Sequence, residues 1–360
     1  MRLPRPHPLV ALAATALTVV GLMGAYSYWE SYYQHRGFAT VAFLPHARRG
    51  QLQTVDFYSP ALHRRADYIV YTPPGYDQSI RRYPVFYLLH GSPGRPVVWT
   101  DIAQLPVRMD NLISQHRMRP MILVFPDGRI GGSTYSDSEW ANTPSGHFAG
   151  YVINVVHDVD HRFRTLAHRD DRVIAGFSAG AYGATNVALH NIRTFANLQS
   201  WSGYYIETRS GVFAGADRAT LDANSPLDYV HRLKALIARD QVRAFLFVGR
   251  DDNDSPQTGP MASALADAGA SVTWALYRGG HDWQLWHAHL NQMLILASRD
   301  VSAAPPRRHG VARSLTPGIV PIPHGEGRRH HRDATRRAAR HGARRGRREE
   351  GRRSRVPPAR

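Results

Sequence analysis

The sequence predicts an α/β protein built on a mostly parallel, doubly wound sheet with helices on both faces. From about residue 51, short apolar runs alternate with amphipathic segments, the rhythm of strands joined by crossover helices. The runs are nearly continuous rather than alternating, as strands covered on both faces require. The chain has 360 residues, 43% of them hydrophobic, and no cysteine. It is long enough to bury a large core, and it excludes a disulfide framework, a zinc–thiolate site and a cysteine nucleophile.

In chain order, residues 1–8 are a basic flank containing Arg2, Arg5 and His7, and Leu9–Tyr26 is a run with no charged side chain. That run is long enough to cross a hydrocarbon core as a slightly short helix. Its best cleavage signal, Ala25-Tyr26-Ser27, ends an apolar stretch longer than an ordinary signal core. An uncleaved single-pass anchor is therefore expected, with a secreted form as the alternative. Retention of the basic end inside places the remainder outside the cytoplasm. Residues 27–44 read as a linker and 45–298 as the folded domain.

Within that domain the strand candidates are Tyr68–Tyr71, Val85–Leu89, Met121–Phe125, Val173–Ala175, Ala244–Val248 and Val272–Tyr277. Val152, Val155, Val156, Val159 and Phe163 recur at helical spacing. They predict a helix over about Gly150–Arg164, with His157, Asp158 and Asp160 on its solvated face. After Ser298 the periodicity stops, and residues 299–360 combine prolines with arginine clusters and little aliphatic content, the composition of a disordered tail. Residues 301–360 hold 17 arginines against four acids, so +13 of the chain's +17 resides there. The body is close to charge balance and nucleic acid is not an expected partner. For the tail, anionic lipid or acidic wall polymer is.

Gly176-Phe177-Ser178-Ala179-Gly180 follows a predicted strand and precedes a helix-compatible stretch. This is the setting of a nucleophile elbow, in which a tight turn lifts a serine hydroxyl above the sheet edge. A base is available in Arg278-Gly279-Gly280-His281, where two glycines let the chain turn sharply before His281. His287 and His289 fall inside the following helix and read as packing residues. Asp252 is the expected orienting acid and Asp251 the reserve, both at the end of the strand Ala244–Val248. A calcium loop starting at Asp251 is excluded, since Pro256 stands where glycine is needed and Ala262 where the bidentate Glu belongs. His90-Gly91-Ser92-Pro93-Gly94 follows an early strand. Pro93 has no N–H, which leaves the Ser92 amide, with that of Ala179, as the oxyanion donors; His90 reads as structural. Trp99, Tyr135, Trp140, Trp283 and Trp286 lie near these loops, and Trp99, Trp140 and Trp283 are the candidates for lining a substrate pocket. No metal site and no cofactor are expected.

The segments "YTPPGYD", "YLLHGSPG", "VFPDG", "GFSAGAYGA" and "GGHDWQLW" together resemble the esterase family that includes esterase D (S-formylglutathione hydrolase), bacterial feruloyl esterases and the mycolyltransferases. The resemblance covers about residues 50–297. It implies an α/β-hydrolase fold, a Ser178–Asp252–His281 triad and oxyanion donors at Ser92 and Ala179, and the chain order Ser…Asp…His is that of the fold. Ala179 stands where the family commonly has a bulkier residue, and the adjacent aspartates leave the acid open between Asp252 and Asp251. The expected function is hydrolysis of a carboxylic ester through an acyl-enzyme on Ser178. Acyl transfer to a sugar hydroxyl, and a non-catalytic wall-binding role on the same fold, are the competing expectations.

Overall fold

The apolar runs become the parallel centre of one sheet in the computed structural model, which describes residues 7–28, 37–133, 136–301 and 319–320. The helix α1 (Pro8–Tyr28) leads the chain, with its side chains exposed as far as Ala25. A hairpin, β1 (Gln51–Ser59) and β2 (Arg64–Thr72), opens the domain. There follow β3 (Val85–Leu89), α2 (Leu105–Ser114), β4 (Ile122–Pro126), the small hairpin β5 (Asn142–Thr143) and β6 (Gly146–His147), α3 (Phe148–Arg162), β7 (Arg172–Phe177), α4 (Ala179–His190) and β8 (Asn197–Trp201). The chain continues through α5 (Arg218–Ala223), α6 (Pro226–Tyr229), α7 (Lys234–Asp240), β9 (Arg243–Gly249), α8 (Thr258–Asp267), β10 (Ser271–Tyr277), α9 (Trp283–Asp300) and β11 (Ile319–Val320). Among the described residues the sheet order is β1-β2-β4-β3-β7-β8-β9-β10-β11. The strands from β4 to β10 run parallel, and β1, β2 and β11 pair antiparallel at the two ends.

Strand periodicity divides the core in two. On β3, Val85, Tyr87 and Leu89 point into a cluster with Val152, Val155 and Val159 of α3 and Val187 of α4. The intervening Phe86 and Leu88 join Met109 and Leu112 of α2 and Leu290 and Leu294 of α9. Side chains alternate across a strand, so a fully apolar run needs helices on both faces. Full burial of a residue such as Leu88 stabilises by about 1.5–3 kcal/mol.

Strands β1, β5, β6, β8 and β11 escape the sequence reading. β1 alternates exposed and buried positions at the sheet edge, and β8 reads Asn-Leu-Gln-Ser-Trp, all buried. Its polar groups are absorbed locally: Asn197 donates to the carbonyls of Asp170 and Arg172, Gln199 to that of Met293 and Ser200 to that of Ala181. The helix expected from Gly150 begins at Phe148, directly after the β5–β6 hairpin. Asp158 and Asp160 are not a solvated face. Asp158 accepts from the Tyr68 hydroxyl at 2.8 Å and from Arg162, while Asp160 accepts from Thr165 at 2.7 Å and pairs with Arg172.

Residues 38–44, read from sequence as the end of a linker, are docked along α2. Gln104 accepts from the Val41 amide and donates to the Ala39 carbonyl, and Asn111 makes the same two-way clamp on Leu44 and Ala42. In the tail, Ile319 and Val320 pair with Ala275 and Trp274 of β10, where the sequence reading expects no ordered structure. The rest of residues 302–360 lies outside the described residues, and the expectation of disorder there with it.

Candidate active site

The C-terminal ends of β3, β7, β8, β9 and β10 deliver Gly91, Ser178, Ser202, Asp252 and His281 to one edge of the sheet, where open α/β sheets carry their sites. Ser178 sits between β7 and α4 with φ 55° and ψ −125°, a strained backbone for a residue with a Cβ that costs about 1–3 kcal/mol. Its neighbours make the turn feasible. A Cβ on Gly176 would lie 2.3 Å from the Gly180 carbonyl, and one on Gly180 would lie 2.1 Å from the Leu89 oxygen. The Ser178 amide donates to Trp201 at 3.0 Å, and its carbonyl accepts from Ala181 and Tyr182, so the elbow is fixed from both sides.

His281 bridges the serine and the acid. Its Nε2 lies 2.8 Å from Ser178 Oγ, and its Nδ1 lies 3.1 and 3.0 Å from the two oxygens of Asp252. The loop carrying His281 crosses the end of β9 at Gly249, where a Cβ would meet the Gly279 oxygen at 2.2 Å. Of the adjacent aspartates, Asp252 turns its fully buried side chain to the imidazole. Asp251 is exposed, and its amide donates to the Gly279 carbonyl at 3.0 Å. Burial alone would raise the Asp252 carboxyl. Hydrogen bonds from His281 and Ser202, the nearby His281 charge and the Ser255 amide outweigh it and hold the carboxyl below its ordinary value.

Ser202, Ser255 and Trp286 complete this shell; the sequence points to Trp286 only as an aromatic residue near the loops, and to neither serine. Trp286 Nε1 donates to Ser202 Oγ at 3.1 Å, and its ring stands edge-on to His281 at 5.2 Å. The Ser255 amide donates to Asp252 at 2.9 Å, while its hydroxyl donates to the Ser202 carbonyl and lies 3.2 Å from His281 Nδ1. The available signal was Ser202-Gly203 directly after a strand, hidden because β8 itself is polar. Ser202 has φ 55°, a second strained residue on the same rim.

Around the loop after β3, no backbone acceptor outside the regular elements faces the amides of Ser92 and Ala179 among the described residues. His90 has a structural position. Its Nδ1 lies 2.9 Å from the Gly91 carbonyl, and its Nε2 accepts from the Gly128 amide at 3.1 Å, tying the loop after β3 to the loop after β4. His287 and His289 pack as expected, against Phe38 and Tyr277 respectively.

The tryptophan assignment is corrected for two residues of three. Trp99 and Trp140 are both fully buried and line no open pocket. Trp99 fills the core among Phe125, Phe177, Trp201 and Trp283. Trp140 is wedged where a Cβ on Gly128 or Gly183 would strike it at 2.6 or 2.4 Å, and its Nε1 donates to the His90 carbonyl. Trp283 is half-buried against Phe177 and Trp286. Tyr135 lies outside the described residues.

Beside the elbow, Tyr182 stacks on Tyr204 at 5.4 Å, and the Tyr204 hydroxyl donates to Glu139. Burial and the charge of Asp137 push Glu139 up to about 7. Burial and the charge of Glu139 push Glu207 up to about 8. Among the described residues no group of three or more His, Cys, Asp or Glu side chains could hold a metal ion.

Comparison with known proteins bears on the same residues. A family model described as "Putative esterase" matches residues 59–297. The endo-1,4-beta-xylanase/feruloyl esterase of Xylanibacter ruminicola is 25% identical over 266 residues, 70% of this chain and 32% of that protein. Esterase Rv1288 of Mycobacterium tuberculosis is 33% identical over 141 residues, 37% of this chain and 28% of that protein. The chain thus spans about a third of the length of these curated relatives. A solved ferulic acid esterase superposes with a TM-score of 0.63 at 25% identity, covering 70% of this chain and 99% of that one. An S-formylglutathione hydrolase from Staphylococcus aureus shares the fold, with a TM-score of 0.56 at 15% identity over 69% of this chain and 99% of that one.

Proposed function

The chain belongs to the esterase family matched across residues 59–297, and on that premise we propose that it is an extracytoplasmic serine esterase with Ser178 as nucleophile, His281 as base and Asp252 as the orienting acid. The supporting observation is the unbroken contact from Ser178 Oγ through the imidazole to the buried Asp252 carboxylate. Ser178 Oγ attacks the ester carbonyl while His281 Nε2 takes its proton. The carbonyl oxygen becomes an oxyanion received by the Ser92 and Ala179 amides. The tetrahedral intermediate collapses by breaking the C–O bond to the alcohol, which leaves with the proton from His281. Water, deprotonated by the same imidazole, then attacks the acyl-enzyme and releases the acid and Ser178. Asp252 stays ionised, holding Nδ1–H and stabilising the imidazolium.

A direct assay of the purified full chain tests this reading. Short-chain p-nitrophenyl esters are expected to be cleaved, with free acid as the acyl product even when millimolar trehalose is present. Acylated sugar in excess of free acid would replace hydrolysis by transfer.

Ser202 acts through Asp252, as a positioning residue. With Ser202→Ala the carboxylate loses one donor and attracts the imidazolium more strongly. The acid limb of the kcat/KM profile is expected to move to higher pH by roughly half a unit, with kcat falling about tenfold and KM little changed. Reduced thermal stability with an unmoved pH profile would leave Ser202 a packing residue.

Among the described residues one helix, α1, is long and apolar enough to span a membrane, and such a helix near an N-terminus fits a signal sequence or a single span. We read it as an uncleaved anchor that holds the domain on the outer face. The tail, by its charge, is suited to an anionic surface there.

A further inference from the structure

The anchored chain meets the domain at the rim that carries the active site. Phe38, ten residues beyond the end of α1, stacks on His287 with ring centroids 3.9 Å apart. His287 Nε2 is 2.7 Å from the Arg108 guanidinium, which also holds the Ala103 carbonyl and Asn291. Gln104 grips Ala39 and Val41 at the first turn of α2. Both helices start at the sheet edge that bears Ser178: α2 after the oxyanion loop, and α9 two residues after His281. Trp286, adjacent to His287, touches the catalytic imidazole. From Phe38 the chain runs away from this edge, past Asn111 to Gly50, whose amide donates to Asp110 at 2.9 Å.

Distance then limits orientation. The 21 residues of α1 rise roughly 31 Å, about the thickness of a hydrocarbon core, which places Tyr28 at the outer boundary. The ten steps from Tyr28 to Phe38 reach at most about 36 Å whatever their conformation. A domain of this size is roughly 45–50 Å across. An inverted domain would need its docking point a full diameter from the bilayer, beyond reach. We propose that the active-site mouth faces the membrane holding the chain and takes its ester from that membrane's outer leaflet, an amphiphile whose acyl carbonyl lies at the interface. α9 ends at Asp300 on the opposite edge.

This rests on the esterase and anchor readings, and the test separates all three. The full chain is reconstituted in phosphatidylcholine vesicles with the domain outward, and hydrolysis of a dispersed short-chain p-nitrophenyl ester is measured beside that of a fluorogenic acyl lipid. The lipid is placed either in the same vesicles or in a second population. At least tenfold faster release from the same vesicles is expected, from the raised local concentration. Because the chain has no cysteine, Gln284→Cys and Arg299→Cys place single donors at the two ends of α9, roughly 22 Å apart along its axis. Energy transfer to a headgroup acceptor is expected to be stronger from position 284. Equal or reversed transfer, or equal release from both vesicle populations, overturns the proposal. Elution by alkaline carbonate, or a mature N-terminus beyond Tyr28, overturns it through the anchor while leaving the esterase reading intact. Loss of the soluble-ester activity alone overturns the esterase reading, and the substrate assignment with it.

Discussion

Ser178→Ala is expected to lower ester turnover by at least ~10³-fold, the scale of losing a triad member, while the protein keeps its fold. Alanine removes only Oγ, whose hydrogen-bond partner is His281 Nε2 at 2.8 Å. The backbone that holds the elbow, from the Trp201 carbonyl to the Ala181 and Tyr182 amides, is unaffected. The loss should fall on kcat, since the serine acts in bond making and not in binding the ester. The oxyanion amides remain, so the variant should still exceed the uncatalysed rate. Turnover near that of the unmodified chain would remove Ser178 from the mechanism.

Asp252→Asn is expected to reduce kcat by roughly 10³–10⁴-fold, and Asp251→Asn by no more than about threefold. Asn at 252 keeps the shape, but its amide group can present N–H to Nδ1 and favour the wrong tautomer, and it removes the charge that stabilises imidazolium. Asp251 is exposed and supports the histidine loop only through its backbone amide, which Asn retains. Steady-state kinetics on one soluble ester decide the matter. Equal losses, or the reverse order, would transfer the role to Asp251.

The elbow, the histidine loop and the apolar parallel strands were legible because each follows from a strong local constraint. Gly176 and Gly180 stand where any Cβ would collide with backbone, and the apolar runs have no alternative to two-sided burial. The acid was legible to within one residue. Choosing between Asp251 and Asp252 depends on which side chain turns inward after Gly249, a property of how the β10 loop crosses β9 and not of local spacing. β8 was not legible, because polar residues satisfied by distant carbonyls carry no periodic signal, and Ser202 was lost with it. The tryptophans failed for the opposite reason: Trp99 and Trp140 are large enough to fill the space between sheet and helices, and proximity in sequence to a functional loop says nothing about which way a ring points. The clamp on residues 38–44 depends on Gln104 and Asn111, polar side chains more than 60 positions away, which no local spacing connects to it.

Active-site titration with a fluorophosphonate, followed by mass spectrometry of the labelled peptide, tests the central claim most directly. One equivalent of label is expected on Ser178, lost with Ser178→Ala and strongly slowed by His281→Ala, because phosphonylation needs the same activated hydroxyl as the ester reaction. Label on another residue, or an unlabelled protein that still cleaves esters, would contradict the account.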